Sequence, residues 1–178
     1  AVAVLSGLLF VGMIFKTIDD KIPTQIAQAN QNTVLPTNEE DINENVPTES
    51  VPTQKVIDKR VIQIKKYLSK RNSPLAGYAQ DFVDAADKYK IDYRLVSAIS
   101  IIESGGGKTT FKPYNAWGWS KSGFANWKEG IYTVSKGLGK YYRNGLTTPK
   151  LISKFYCPPS ADSWASKVQH VMNEISKQ

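Results

Sequence analysis

Only one part of this 178-residue chain can build a hydrophobic core, and that limits the fold before any motif is considered. Residues 1–15 are uncharged and largely apolar, and Lys16 ends the run. Residues 17–54 carry seven acidic side chains against Lys21 alone, with four prolines and many Asn, Gln and Thr. Such a stretch cannot bury enough apolar surface to offset the entropy of ordering it, so 17–54 is expected to be a disordered acidic linker. What remains, 55–178, holds 21 Lys and Arg against 9 Asp and Glu, a net of +12 that the whole-chain +7 conceals. That length suits one ordinary domain.

Fifteen apolar residues fall short of the roughly 20 that a bilayer-spanning helix needs. The run is a shortened transmembrane anchor, a signal-peptide core or a buried helix. Gly7 and Gly12 are tolerated in membrane helices, and Gln25–Ala29 is only a faint cleavage site, so an anchor over 1–16 is favoured. The expected location is a single-pass protein of the cell membrane with its basic domain extracytoplasmic. A linker of this length has an r.m.s. reach on the order of 35 Å.

A domain this basic favours an anionic partner. The cations are scattered and no nucleic-acid motif is present, so anionic envelope polymer is expected rather than nucleic acid. Cys157 is the only cysteine, which excludes an internal disulfide and a metal held by a cysteine cluster. His170, also alone, reads as a packed or surface residue of an amphipathic helix. No metal or cofactor is expected, and the protein is expected to be a monomer.

Apolar spacing and cap signals predict a mainly α domain. Val56, Ile57, Val61, Ile64, Tyr67 and Leu68 mark a first helix. Ser73-Pro74 is an N-cap followed by proline at the first helical position, with Leu75, Tyr78, Phe82, Ala85 and Tyr89 on one face. Asp92 caps a third helix through Leu95, Ala98, Ile99 and Ile102, and Gly105-Gly106-Gly107 stops it. Asn126 with Glu129 forms a capping box before Ile131, Val134, Leu138 and Tyr141. Thr148-Pro149 starts a short helix through Tyr156, and Asp162 or Ser163 caps the last, with Trp164, Val168, Val171 and Ile175 inward. A short β-hairpin around Tyr114–Phe124 is the one candidate for strand pairing.

Glu103 falls in the last turn of the third helix, among isoleucines and at the negative end of the helix dipole. Both influences disfavour its ionised form and push its pKa upward. A carboxylic acid that keeps its proton near neutral pH is what a glycosidase uses to protonate a leaving oxygen. The alternative is a glutamate fraying off a helix end. About a dozen residues later comes Tyr114-Asn115-Ala116-Trp117-Gly118-Trp119, an aromatic and amide-rich loop that a plain helical bundle does not need. Sugars pack C–H faces on aromatic rings and pair hydroxyl and acetamido groups with amides. Asn115, Trp117 and Trp119 therefore read as functional, whereas Trp127, Tyr141 and Trp164, at helical spacing, read as core.

Glu103-Ser104, Tyr114-Asn115-Ala116-Trp117-Gly118, Phe124–Ile131 and Tyr156 followed by Trp164-Ala165-Ser166-Lys167-Val168 stand in an order that resembles the lysozyme-like superfamily. The match is to its bacterial endo-β-N-acetylglucosaminidase and soluble lytic transglycosylase branches, over about residues 73–176. The resemblance implies a lysozyme-like helical domain that cleaves β-1,4 bonds in the glycan strands of peptidoglycan. It implies Glu103 as general acid and Tyr156 as a second catalytic residue facing it across the cleft. Ser104, Asn115, Trp117, Gly118, Trp119 and Tyr132 are the corresponding candidates for the sugar groove. Two departures stand out. Trp117-Gly118-Trp119-Ser120 replaces the transglycosylase Gly-Leu-Met-Gln loop, and the run between Gly107 and Tyr114 is short, which leaves one side of the groove open.

A two-carboxylate glycosidase needs its partner acid roughly 5–10 Å away. Glu129 and Asp162 read as helix caps, and Asp81, Asp84 and Asp87 lie on the polar side of an earlier helix. Glu103 is therefore expected to work alone as acid and then base, with the substrate's N-acetyl group as internal nucleophile. Glu129 is the runner-up for a second carboxylate.

Overall fold

Burial of apolar helix faces around one central helix organises the domain. The computed structural model describes residues 58–178. Six α-helices occur among them: α1 (Lys59–Ser69), α2 (Ala79–Tyr89), α3 (Leu95–Ser104), α4 (Trp127–Arg143), α5 (Pro149–Tyr156) and α6 (Ala161–Ser176). Short 3-10 helices at Pro74–Tyr78 and Pro158–Ser160 lead into α2 and α6. The described residues are mainly α. None of their helices is long and apolar enough to cross a membrane. The expected anchor over 1–16, the linker over 17–54 and the first two apolar positions of the first helix, Val56 and Ile57, lie outside the described residues.

Helix α3 is the centre. Leu95, Val96, Ala98 and Ile99 are buried together with Ser97, Ser100 and Ser104. Hydroxyls at such depth need acceptors, and two find one locally: Ser97 donates to Arg94 O and Ser100 to Ser97 O. Around α3, α6 packs on α3 and α5, α4 packs on α2, and α1 packs on α2 and the first 3-10 helix. Ile64, Leu68, Leu75, Phe82, Ile131, Leu138, Ile152, Val168 and Ile175 complete the core.

The helix starts follow local chemistry closely, with three corrections. Asn126 Oδ1 accepts the Glu129 N–H at 2.8 Å and Glu129 Oε2 accepts the Ala125 N–H at 2.6 Å, a reciprocal box at the start of α4. Thr148 Oγ1 caps α5 at 3.3 Å from the Leu151 N–H. Asp92, expected to cap α3 directly, instead accepts from Arg94 N–H and closes a turn just ahead of Leu95. Neither Asp162 nor Ser163 caps α6, because the 3-10 turn at Pro158–Ser160 runs straight into Ala161. Asp162 lies in the first turn, where its charge suits the helix dipole.

The third correction is the hairpin. No strand occurs among the described residues, and 114–124 is a succession of turns and bends. One backbone bond, Phe124 N–H to Pro113 O at 2.9 Å, closes its neck. The Asn115 side chain takes four of the backbone groups that a ladder would pair. Its amide nitrogen donates to Trp119 O at 2.6 Å and Ser122 O at 2.9 Å, and its oxygen accepts from Trp117 N–H at 3.3 Å and Trp119 N–H at 3.1 Å.

Candidate active site

Glu103 stands one residue before the end of α3, and the backbone there is fixed by glycines. Gly105, Gly106 and Gly107 all have positive φ, at 63°, 78° and 84°. A side chain at Gly106 would fall 2.8 Å from Ser73 Oγ, which itself donates to Gly106 O at 2.6 Å. The chain therefore leaves α3 abruptly and returns as the aromatic loop. Ser104 fastens that return: its hydroxyl is 2.8 Å from Ala116 O and 2.8 Å from Gly107 N, donating to the first and accepting from the second.

The loop is seated on α4 by two helix glycines. A Cβ at Gly130 would lie 2.6 Å from the Trp117 ring, and one at Gly137 would lie 2.1 Å from the Trp119 ring. Glycine inside a helix costs about 1 kcal/mol relative to alanine, so each of these positions exchanges propensity for a ring socket. Tyr114 and Ser120, at the two edges of the loop, adopt left-handed φ of 53° and 69°. Backbone strain of that kind in non-glycine residues clusters at functional sites.

The Glu103 carboxyl is held on one side and open on the other. Trp164 Nε1–H of α6 donates to Oε1 at 2.7 Å. On the Gly118 side, a Cβ built on that exposed glycine would lie 3.7 Å from Oε2, with no other residue beyond its chain neighbours within 4 Å. Glu103 remains exposed as a residue, yet the protein atoms around its carboxyl raise its pKa by desolvation, and the Trp164 hydrogen bond opposes that rise. The expected direction holds, with burial as the cause. No charged neighbour contributes to the shift.

The other residues singled out in the sequence take different places. Trp117 is fully buried and its indole N–H is bonded to Val96 O at 2.9 Å, so its ring is core and does not face a groove. Asn115, 6% exposed, has its amide committed to the loop. Ser104 is a buried fastening. Tyr156 is also buried: its hydroxyl donates to Trp117 O, and burial, followed by the nearby Glu103, drives its pKa well above the ordinary phenol value. It supports the site from behind. Trp119 packs against Tyr156 with ring centroids 5.7 Å apart. Tyr132 lies on the α2–α4 face between Lys88 and Lys128, each 5.8 Å from its ring centroid. Of the six groove candidates, Gly118 alone is exposed with open space on its side-chain face beside the Glu103 carboxyl.

Trp164 is the residue that helical spacing hid. Its position reads as core, and 5% exposure bears that out. Buried indoles nonetheless find an acceptor for their N–H, and here it is the Glu103 carboxyl. Glu129 remains in its helix cap, and the acids at 58, 81, 87, 92 and 174 are ion-paired. No protein-family model matches the chain, and no curated protein matches it.

Proposed function

We propose that this protein is a lysozyme-like glycosidase that cleaves β-1,4 bonds of peptidoglycan glycan strands, with Glu103 as its single catalytic carboxyl. One observation carries the reading: a desolvated carboxyl with a raised pKa, one oxygen tied to an indole and the other facing an exposed glycine. The raised pKa favours the protonated form that delivers a proton to a leaving oxygen, and the resulting carboxylate can afterwards take a proton back. No second carboxylate shifts it, which favours substrate-assisted chemistry. The acetamido oxygen of the substrate attacks C1 as Glu103 gives its proton to the departing glycosidic oxygen. Water, activated by the resulting carboxylate, then opens the cyclic intermediate.

The reading extends to location and partners. Residues 1–16 anchor the chain in the cell membrane, the acidic linker lets the domain search the nearby wall, and its positive charge holds it to anionic envelope polymers.

The test is release of fragments from purified peptidoglycan, read by mass spectrometry. Wild type is expected to give fragments with reducing N-acetylglucosamine ends, and Glu103→Gln to lose about 100-fold or more of the rate while keeping wall binding. Fragments with 1,6-anhydro ends mean that the C6 hydroxyl, not water, resolves the intermediate. Wall binding with no release by wild type identifies a binding module and ends the enzymatic reading.

A further inference from the structure

We infer that Trp164 dictates which oxygen of Glu103 carries the acidic proton: Oε1 is kept as the acceptor, and Oε2 delivers the proton on the Gly118 side. The inference rests on the proposed role of Glu103 and adds a direction to it. An indole N–H donates and has no acceptor capacity. In a neutral carboxylic acid the carbonyl oxygen is the stronger acceptor, so a 2.7 Å bond from Trp164 to Oε1 makes Oε2 the hydroxyl. Oε2 is also the oxygen beside exposed Gly118. The glycosidic oxygen is therefore received over Gly118, and the sugar chain crosses the loop at that glycine.

Trp164 can impose this because it is held through a closed circuit that begins and ends on α3. Its ring is stacked on Tyr156 at 4.8 Å with a 26° interplanar angle. Tyr156 donates to Trp117 O, and the Trp117 indole donates to Val96 O at 2.9 Å. Val96 and Glu103 are seven residues apart, two turns along one face of the same helix. Trp164 cannot swing without disturbing Tyr156, and Tyr156 cannot move without releasing the loop. Trp164 is thus a positioning residue. The titratable groups on this side are the buried Tyr156 phenol, which feels the Glu103 charge, and Tyr141 and Cys157 near that phenol; α6 brings the uncharged Trp164.

The experiment uses the full chain, with NMR of the Trp164 indole N–H and of the Glu103 side-chain carboxyl carbon across pH. The expected result is one shared midpoint for both signals, and loss of the indole titration in Glu103→Gln. Trp164→Phe keeps a ring for Tyr156 but removes the donor. It is expected to raise the Glu103 midpoint by roughly one pH unit, a tenfold change in the proton equilibrium. The alkaline limb of the rate profile moves up with it, with kcat reduced and KM little changed. An indole signal that ignores the Glu103 midpoint overturns the assignment. If Trp164→Phe does not fold, wild type against Glu103→Gln still decides. Coupled titration in a protein that releases no glycan leaves the proton placement standing and removes the glycosidase reading instead.

Discussion

Asn115 makes four hydrogen bonds to the backbone of its own loop, so its side chain stands in for a strand partner. Asn115→Ala leaves buried N–H and C=O groups unpaired, and a loss of about 3 kcal/mol in denaturant unfolding is expected, at a net cost of about 1 kcal/mol or somewhat less per bond. Glu103 acts in the opposite sense. Its pKa is raised in the folded protein, so the folded state binds the proton more tightly than the unfolded chain does. Stability contributed by this group is full below the ordinary carboxylate range and declines as pH rises through the elevated folded value. Glu103→Gln is expected to flatten that decline, melting higher than wild type at neutral pH and alike in acid, as calorimetry at the two pH values will show. Both residues stood out in the sequence, but only the place of Glu103 at a helix end was legible there. An acid before three glycines reads as a helix end in any context. An asparagine among tryptophans reads as a sugar ligand until its amide is found committed to the backbone.

Helix α4 illustrates what periodicity conveys and what it omits. Its cap, its buried stripe and its length follow from Asn126, Glu129 and the spacing of Ile131, Val134 and Leu138. Its glycines do not fit that pattern, because they answer to rings that arrive from elsewhere in the chain. Gly137→Ala gains about 1 kcal/mol of helix propensity. The added Cβ, however, would stand 2.1 Å from a ring carbon of Trp119, itself packed on Tyr156. Overpacking of that kind costs about 1–3 kcal/mol, so the variant is expected to be the less stable one by up to about 2 kcal/mol in chemical denaturation. The hairpin and the start of α6 were illegible for a related reason. A side chain displaced the ladder in the first, and the Pro158-Pro159 turn replaced a capping side chain in the second.

On the scale of the molecule, charge separation between 17–54 and 55–178 is stated by the sequence outright, and its consequence is long-range. Many of the described cations, Lys136, Lys140, Arg143, Lys150 and Lys154 among them, are exposed. The proposed attraction to anionic wall polymer weakens as screening shortens, so sedimentation with purified walls is expected to fall several-fold between 0.15 and 0.5 M salt (about 8 to 4 Å of screening length). Glycan turnover on short soluble fragments should change little. The four tryptophans add a property of a different kind. Trp117 and Trp119 belong to the loop, Trp127 lies against Gly107, and Trp164 holds Glu103. One indole, that of Trp164, thus touches the Glu103 carboxyl, and its share of the ultraviolet emission is a built-in optical gauge of what enters or leaves that spot.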